Sequence, residues 1–160
     1  MNSKIDLTRL KWTKNVNHPE PEKWSYRHNE VHYPYLVPEF NLHWKKGADA
    51  NISKPEERDI ILLRQRTKIT HLVMVLDDKI QNDSSNGGHP LFRRVQVLWM
   101  PRKPWAKAPQ QNDVFGFDID LQGGKAVVLE NIAALTEEFK DRGGINAFQN
   151  RVAEQLRLGI

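Results

Sequence analysis

Between Arg93 and Lys107 the chain reads RRVQVLWMPRKPWAK, which sets Arg93, Arg94, Arg102, Lys103 and Lys107 around Trp99 and Trp105. Flat rings stack on nucleobases or enclose a methylated group, and cations beside them hold phosphates. Recognition of a single-stranded or flipped nucleotide asks for this combination. The inventory is wider than one segment: the chain has five Trp, and Trp24, Tyr26, Tyr33, Tyr35, Phe40 and Trp44 crowd its first third. A tryptophan also serves as core, and Trp12 and Trp44, each ending an alternating pattern, lean that way. Trp24, Trp44, Trp99 and Trp105 are the candidate base-contacting residues. A second basic group lies in ILLRQRTKITHL, where Arg64, Arg66 and Lys68 would alternate onto one side of a continuous strand. Like charges in a row repel. A phosphate backbone would neutralise them; so would Asp59, Asp77, Asp78 or plain water, which leaves a polyanion-facing edge and a solvated hairpin tip as the two readings.

Searches for catalytic patterns give little. There is no Gly-rich phosphate loop, no HExxH and no GxSxG. Ser84 and Ser85 sit in a polar loop without a patterned histidine. Asp118 and Asp120, with Lys125 and Glu130 downstream, are spaced like the carboxylates that hold Mg²⁺ in nucleases, provided they share one side of a strand. His28, Glu30 and His32, with His43 nearby, would gather a metal only if their loop folded back, and they lack the regular pairs of structural zinc sites. Cysteine is absent, which excludes disulfides, thiolate metal sites and Cys nucleophiles. The expectation is therefore no catalytic residue, no metal and no cofactor.

These side chains need elements to hold them. Ile5, Leu7, Leu10 and Trp12 suggest a first strand; Val16 to Pro34 reads as loop. Leu36–Val37 suggests a short strand, and Phe40, Leu42 and Trp44 alternate as a half-buried strand does. KKGADANISKPEE reads as turn. Ile60 to Leu63 and Ile69 to Leu76 make a hairpin whose turn lacks Gly or Asn. Asp77 to Pro90 is polar loop, and Phe92 to Met100 a strand stopped by Pro101. Val114, Phe115 and Phe117 suggest a further strand, and so do Ala126 to Leu129. Leu129, Ile132, Ala133 and Leu135 recur at helical spacing, and a separate short helix from Thr136, with Thr136 as cap, is the alternative. Phe148, Val152, Ala153 and Leu156 form the stripe of a terminal helix of about 12 residues from Ile145. Six strands, two helices and mostly short connections argue against a parallel doubly wound sheet. The expected fold class is α+β: a small mixed or antiparallel β-barrel with flanking helices, formed as a single domain by residues 1–160.

The length of 160 residues suits one domain that builds its core without staples. The formal charge of +4 permits a polyanion partner without requiring one. It is unevenly spread: residues 58–107 hold ten basic against four acidic side chains, and residues 108–160 hold five against eight. No apolar run approaches the length of a membrane span, and the first residues lack a secretory pattern, so a soluble cytoplasmic protein is the expectation.

Arg58-Asp59-Ile60-Ile61-Leu62-Leu63, a basic turn, and then Ile69-Thr70-His71-Leu72-Val73-Met74-Val75-Leu76 resemble the central hairpin of PUA-like domains, especially the EVE, ASCH and YTH groups. Those commonly carry Gly-Asp where this chain has Arg58-Asp59, and a small residue where it has His71. The likeness covers roughly residues 56–100. It implies a small β-barrel flanked by helices that binds RNA or modified bases in DNA, often in an aromatic-lined pocket. The leading expectation is a non-catalytic nucleic-acid recognition module that meets RNA or DNA through Trp24, Trp44, Arg64, Arg66, Lys68, Arg93, Arg94, Trp99, Arg102, Lys103 and Trp105. The alternatives are a subunit that docks a protein partner through the C-terminal helix, and an Mg²⁺-dependent nuclease using Asp118 and Asp120.

Overall fold

A computed structural model describes residues 5–16, 26, 38–83, 88–121 and 123–158. Its strands are β1 (Leu10–Asn15), β2 (Glu39–Trp44), β3 (Ile60–Gln65), β4 (Lys68–Val75), β5 (Gln81–Asn82), β6 (Leu91–Trp99) and β7 (Ala126–Val128). Its helices are α1 (Asp49–Ile52), α2 (Gln111–Phe115), α3 (Ala133–Phe139) and α4 (Ile145–Gln155). The strands form one sheet in the order β2-β6-β4-β3-β1-β7, with β5 added to β6. Among the described residues only the β1–β3 pair is parallel.

β3 is buried at all six positions because both faces of this central strand are covered, which is why its sequence is a continuous run and not an alternation. It turns into β4 through Arg66 at φ 48° and Thr67 at φ 67°. Two successive left-handed residues are what a two-residue hairpin turn demands, so this hairpin has the geometry without the usual Gly or Asn.

One face of the sheet curls around Trp12, Leu42, Trp44, Ile61, Leu63, Val73, Val75, Val95 and Val97. The other buries Leu10, Ile60, Leu62, Ile69 and Leu72 beneath Val114 and Phe115 of α2, Leu135 and Phe139 of α3, and Phe148 and Val152 of α4. The stripe read from the C-terminal sequence thus lies inside the chain's own core.

The expected closed barrel is overturned. The sheet is an open, curled half-barrel: β2 and β7 are its two edges and share no ladder. The short α1 lies between them, and its Asn51 carboxamide does what a closing strand would do. The Asn51 oxygen accepts from Ala126 N–H at 2.8 Å and from Trp44 Nε1–H at 2.7 Å, while its Nδ2 donates to Ala126 O at 2.9 Å. Lys14 adds to this seam from β1, with its ammonium 4.7 Å above the Trp44 ring and donating to the Gly124 carbonyl. Asn51→Ala is expected to leave buried polar groups without partners and to cost about 1–3 kcal/mol in urea denaturation. Asn51→Asp turns an acceptor towards the Ala126 carbonyl and is expected to cost more.

Other expectations change in detail. Leu7–Arg9 is a 3₁₀ turn capped by Asp6, so the first strand begins at Leu10. Val114 and Phe115 belong to α2 and not to a strand, with Gly116 at φ 88° ending the helix. Arg151 of α4 fixes it there by donating to Asp113 O at 2.7 Å and Val114 O at 3.2 Å. There are four α-helices among the described residues where two were expected, and α3 starts at Ala133, within the helical spacing of Leu129 to Leu135 and not at Thr136. Leu36–Val37 lies outside the described residues. No helix among those described is long and apolar enough to cross a membrane.

Candidate nucleic-acid interface

The chain after β6 returns to the tip of the β3–β4 hairpin and is stitched to it. Ile69 N–H donates to Pro109 O and Gln111 N–H to Thr67 O, each at 2.8 Å. Trp105 opens a 3₁₀ turn, Trp105–Lys107, with its ring directed inward. The hairpin tip carries Arg66 and Lys68, and the segment stitched to it carries Arg102, Lys103 and Lys107; all are exposed except the half-buried Lys68. Lys68, Arg102, Lys103 and Lys107 make no ion pair among the described residues.

His71 of β4 and Trp105 of the joined segment belong to a cluster of four rings. Tyr26 lies 4.9 Å from Phe40, Phe40 lies 5.2 Å from His71, and His71 lies 5.1 Å from Trp105, centroid to centroid. The pairing of β3 with β4 shifts by one residue here, because Leu63 faces His71 while Arg64 faces Ile69. Such a bulge re-aims side chains. It lets Thr70 and His71, neighbours in sequence, both reach inward: Thr70 Oγ1 meets His71 Nδ1 at 2.9 Å, and Gln65 Nε2 donates to Thr70 Oγ1 at 2.8 Å.

Gln65 gives the cluster its polar centre. Its carboxamide accepts from Tyr26 N–H at 3.0 Å and donates to Tyr26 O at 3.2 Å, so one side chain pairs with a donor and an acceptor side by side. Trp105 Nε1–H donates to the same carbonyl at 2.5 Å, and the Tyr26 hydroxyl accepts from His43 N–H at 2.7 Å. The rings touch one another, so a base would not slide between them. The half-buried Phe40 is the ring the cluster offers for stacking.

The residues singled out in the sequence fall into separate places. Arg66, Lys68, Arg102, Lys103 and Trp105 converge on this end. Trp44 is fully buried at the seam, and Trp99 is half-buried with the helix-side core. Trp24 lies outside the described residues. Arg64 is buried, with Nε donating to Thr13 Oγ1 at 3.1 Å and Nη1 to Gln111 Oε1 at 3.3 Å; desolvation lowers its pKa to about 10. Arg93 is 1% exposed and donates to the carbonyls of Ile52 at 2.9 Å, Pro55 at 2.6 Å and Asp77 at 2.6 Å. Arg94 reaches across to β2, to Asn41 at 2.7 Å and Glu39 at 3.2 Å. Gln65 and Phe40 were not among the sequence candidates, although the alternation Ile61, Leu63, Gln65 already places the glutamine on the inner face.

Asp118 and Asp120 lie in an irregular segment after α2, so the argument that strand alternation aligns them does not apply. Asp118 accepts from Asn112 Nδ2 at 3.1 Å. His28, Glu30 and His32 lie outside the described residues, and His43 Nδ1 faces the His89 carbonyl at 2.9 Å. Among the described residues no three His, Asp or Glu side chains gather as metal ligands do. Comparison with protein-family models, with curated proteins and with solved structures found no match.

Proposed function

We propose that this chain is a non-catalytic nucleic-acid recognition module that holds a single-stranded or locally opened strand at the hairpin-tip end of the half-barrel. The observation that carries the reading is the meeting, at that end, of Arg66, Lys68, Arg102, Lys103 and Lys107 with the ring cluster of Tyr26, Phe40, His71 and Trp105. Phosphates lie along the cations, and a base stacks on the half-buried Phe40. Gln65, fully buried, holds Tyr26 in place by pairing with its backbone N–H and C=O.

The resemblance to PUA-like hairpins supports the same reading through backbone geometry. Arg58, at the position where those domains commonly carry Gly, sits at φ 72°, a conformation that glycine adopts at little cost.

The test is fluorescence anisotropy with labelled single- and double-stranded DNA and RNA across a salt series. Affinity is expected to fall steeply with salt, and the double variant Arg102→Glu with Lys103→Glu to weaken binding at least tenfold. The slope of log affinity against log salt should shrink by about 1 for each phosphate contact removed. Absence of binding to all four polymers at low salt contradicts the reading.

A further inference from the structure

A groove of about 450 Å³ runs along the outer face of the sheet, away from the cationic end. That volume falls within the range of small-molecule sites. Its floor is aliphatic. Ile60, Met74 and Gln96 are direct neighbours across β3, β4 and β6, and Leu98 continues the line along β6. Its wall is the segment leading into β1, with Ile5, Asp6 and Arg9. Among the described residues no aromatic ring lines it, so they do not build it to stack a base.

One end of the groove carries the charged side chains Asp6, Arg9 and Arg58. Asp6 is turned to its own chain, accepting from the N–H and hydroxyl of Thr8. Arg9 donates to Glu57 O at 2.9 Å and pairs with the buried Asp59 at 3.1 Å. Asp59 also accepts from Trp12 Nε1–H and Glu56 N–H, so its charge is shared among groups within the fold. Arg58 differs from both. It is exposed, makes no ion pair among the described residues, and lines the groove.

Arg58 is also held in a conformation that disfavours any residue but glycine, at φ 72°. Its N–H donates to Val75 O at 2.7 Å, so the surrounding sheet fixes that backbone. Strain of this kind clusters at ligand clamps. We infer that the groove binds an aliphatic carboxylate, with the alkyl chain lying on Ile60, Met74 and Leu98 and the carboxylate held by the Arg58 guanidinium at its mouth. Guanidinium matches carboxylate by two parallel hydrogen bonds, which an ammonium cannot do.

The test uses the whole chain with octanoate as probe and octylamine as the charge control, followed by calorimetry and by the methyl resonance of Met74. Octanoate is expected to bind saturably and move the Met74 signal, and octylamine to do neither. Arg58→Gly is expected to weaken octanoate at least tenfold while Tm stays equal or rises, since glycine relieves the backbone. Arg58→Lys is expected to recover only part of the affinity. Failure of octanoate to saturate, equal binding of octylamine, or undiminished binding by Arg58→Gly overturns the inference. The groove shares no residue with the hairpin-tip end, so none of these results bears on nucleic-acid binding.

Discussion

Arg93→Ala is expected to cost about 3–5 kcal/mol, a large share of the 5–15 kcal/mol that holds a typical domain together. The guanidinium is 1% exposed and fans into three backbone carbonyls, those of Ile52, Pro55 and Asp77. It therefore pins the loop after α1 and the turn after β4 to β6. Desolvation lowers its pKa, and the neighbouring Asp78, Asp77 and Asp59 oppose that shift, so the group stays a cation. Alanine leaves the carbonyls buried without donors and opens a void beneath them. Arg93→Lys keeps the charge but not the fork and is expected to fall between. Urea denaturation reads this as a lowered midpoint with an unchanged slope. Wild-type stability combined with lost nucleic-acid affinity would mean that Arg93 faces a ligand, contrary to this account.

The second large effect depends on pH. Lys14 is 2% exposed, and burial lowers its pKa to about 7. Its ammonium has the Gly124 carbonyl and the face of Trp44 as neighbours. In the unfolded chain the same group titrates near pH ~10.4. Between these two values the unfolded state binds a proton that the folded state has released, so stability rises with pH. The rise is at most about 1.4 kcal/mol per pH unit, and it flattens below the folded value, where both states are protonated. Arg64, lowered to about 10, adds a slope of the same sign only above that pH. Lys14→Met is expected to abolish the rise and to stabilise the protein near neutral pH by roughly 1–4 kcal/mol, because an apolar chain of similar length replaces a buried charge. Denaturation midpoints across the alkaline range decide the matter: a flat wild-type profile, or a slope that survives in Lys14→Met, contradicts it.

The sheet was legible where burial imposed a pattern. The run Ile60 to Leu63, the return from Ile69 and the alternation Phe40, Leu42, Trp44 each correspond to a strand, and the Phe148, Val152, Leu156 stripe corresponds to α4. The closed barrel was misread because closure is decided at the edges. There a four-residue helix, written in the sequence as part of a polar turn, inserts Asn51 between β2 and β7. The Val114, Phe115 and Phe117 spacing looks like a strand, yet Val114 and Phe115 are successive helical residues packed beneath α4. The row of Arg64, Arg66 and Lys68 assumed one continuous strand. The chain instead reverses at Arg66 and Thr67, leaving Arg64 buried against Thr13 and Gln111. Trp44 and Trp105 look alike in composition and are both buried. One closes the seam and the other lies under the cationic end, a difference that only the tertiary path of the chain creates.

Whether the cationic end meets nucleic acid is decided by an NMR titration with a short single-stranded oligonucleotide. Saturable shifts are expected at the backbone of Arg66, Lys68, Arg102 and Lys103 and at the Trp105 indole N–H, with the Trp44 indole unmoved. Shifts confined to another surface, or no saturable shift at those residues, would contradict that role.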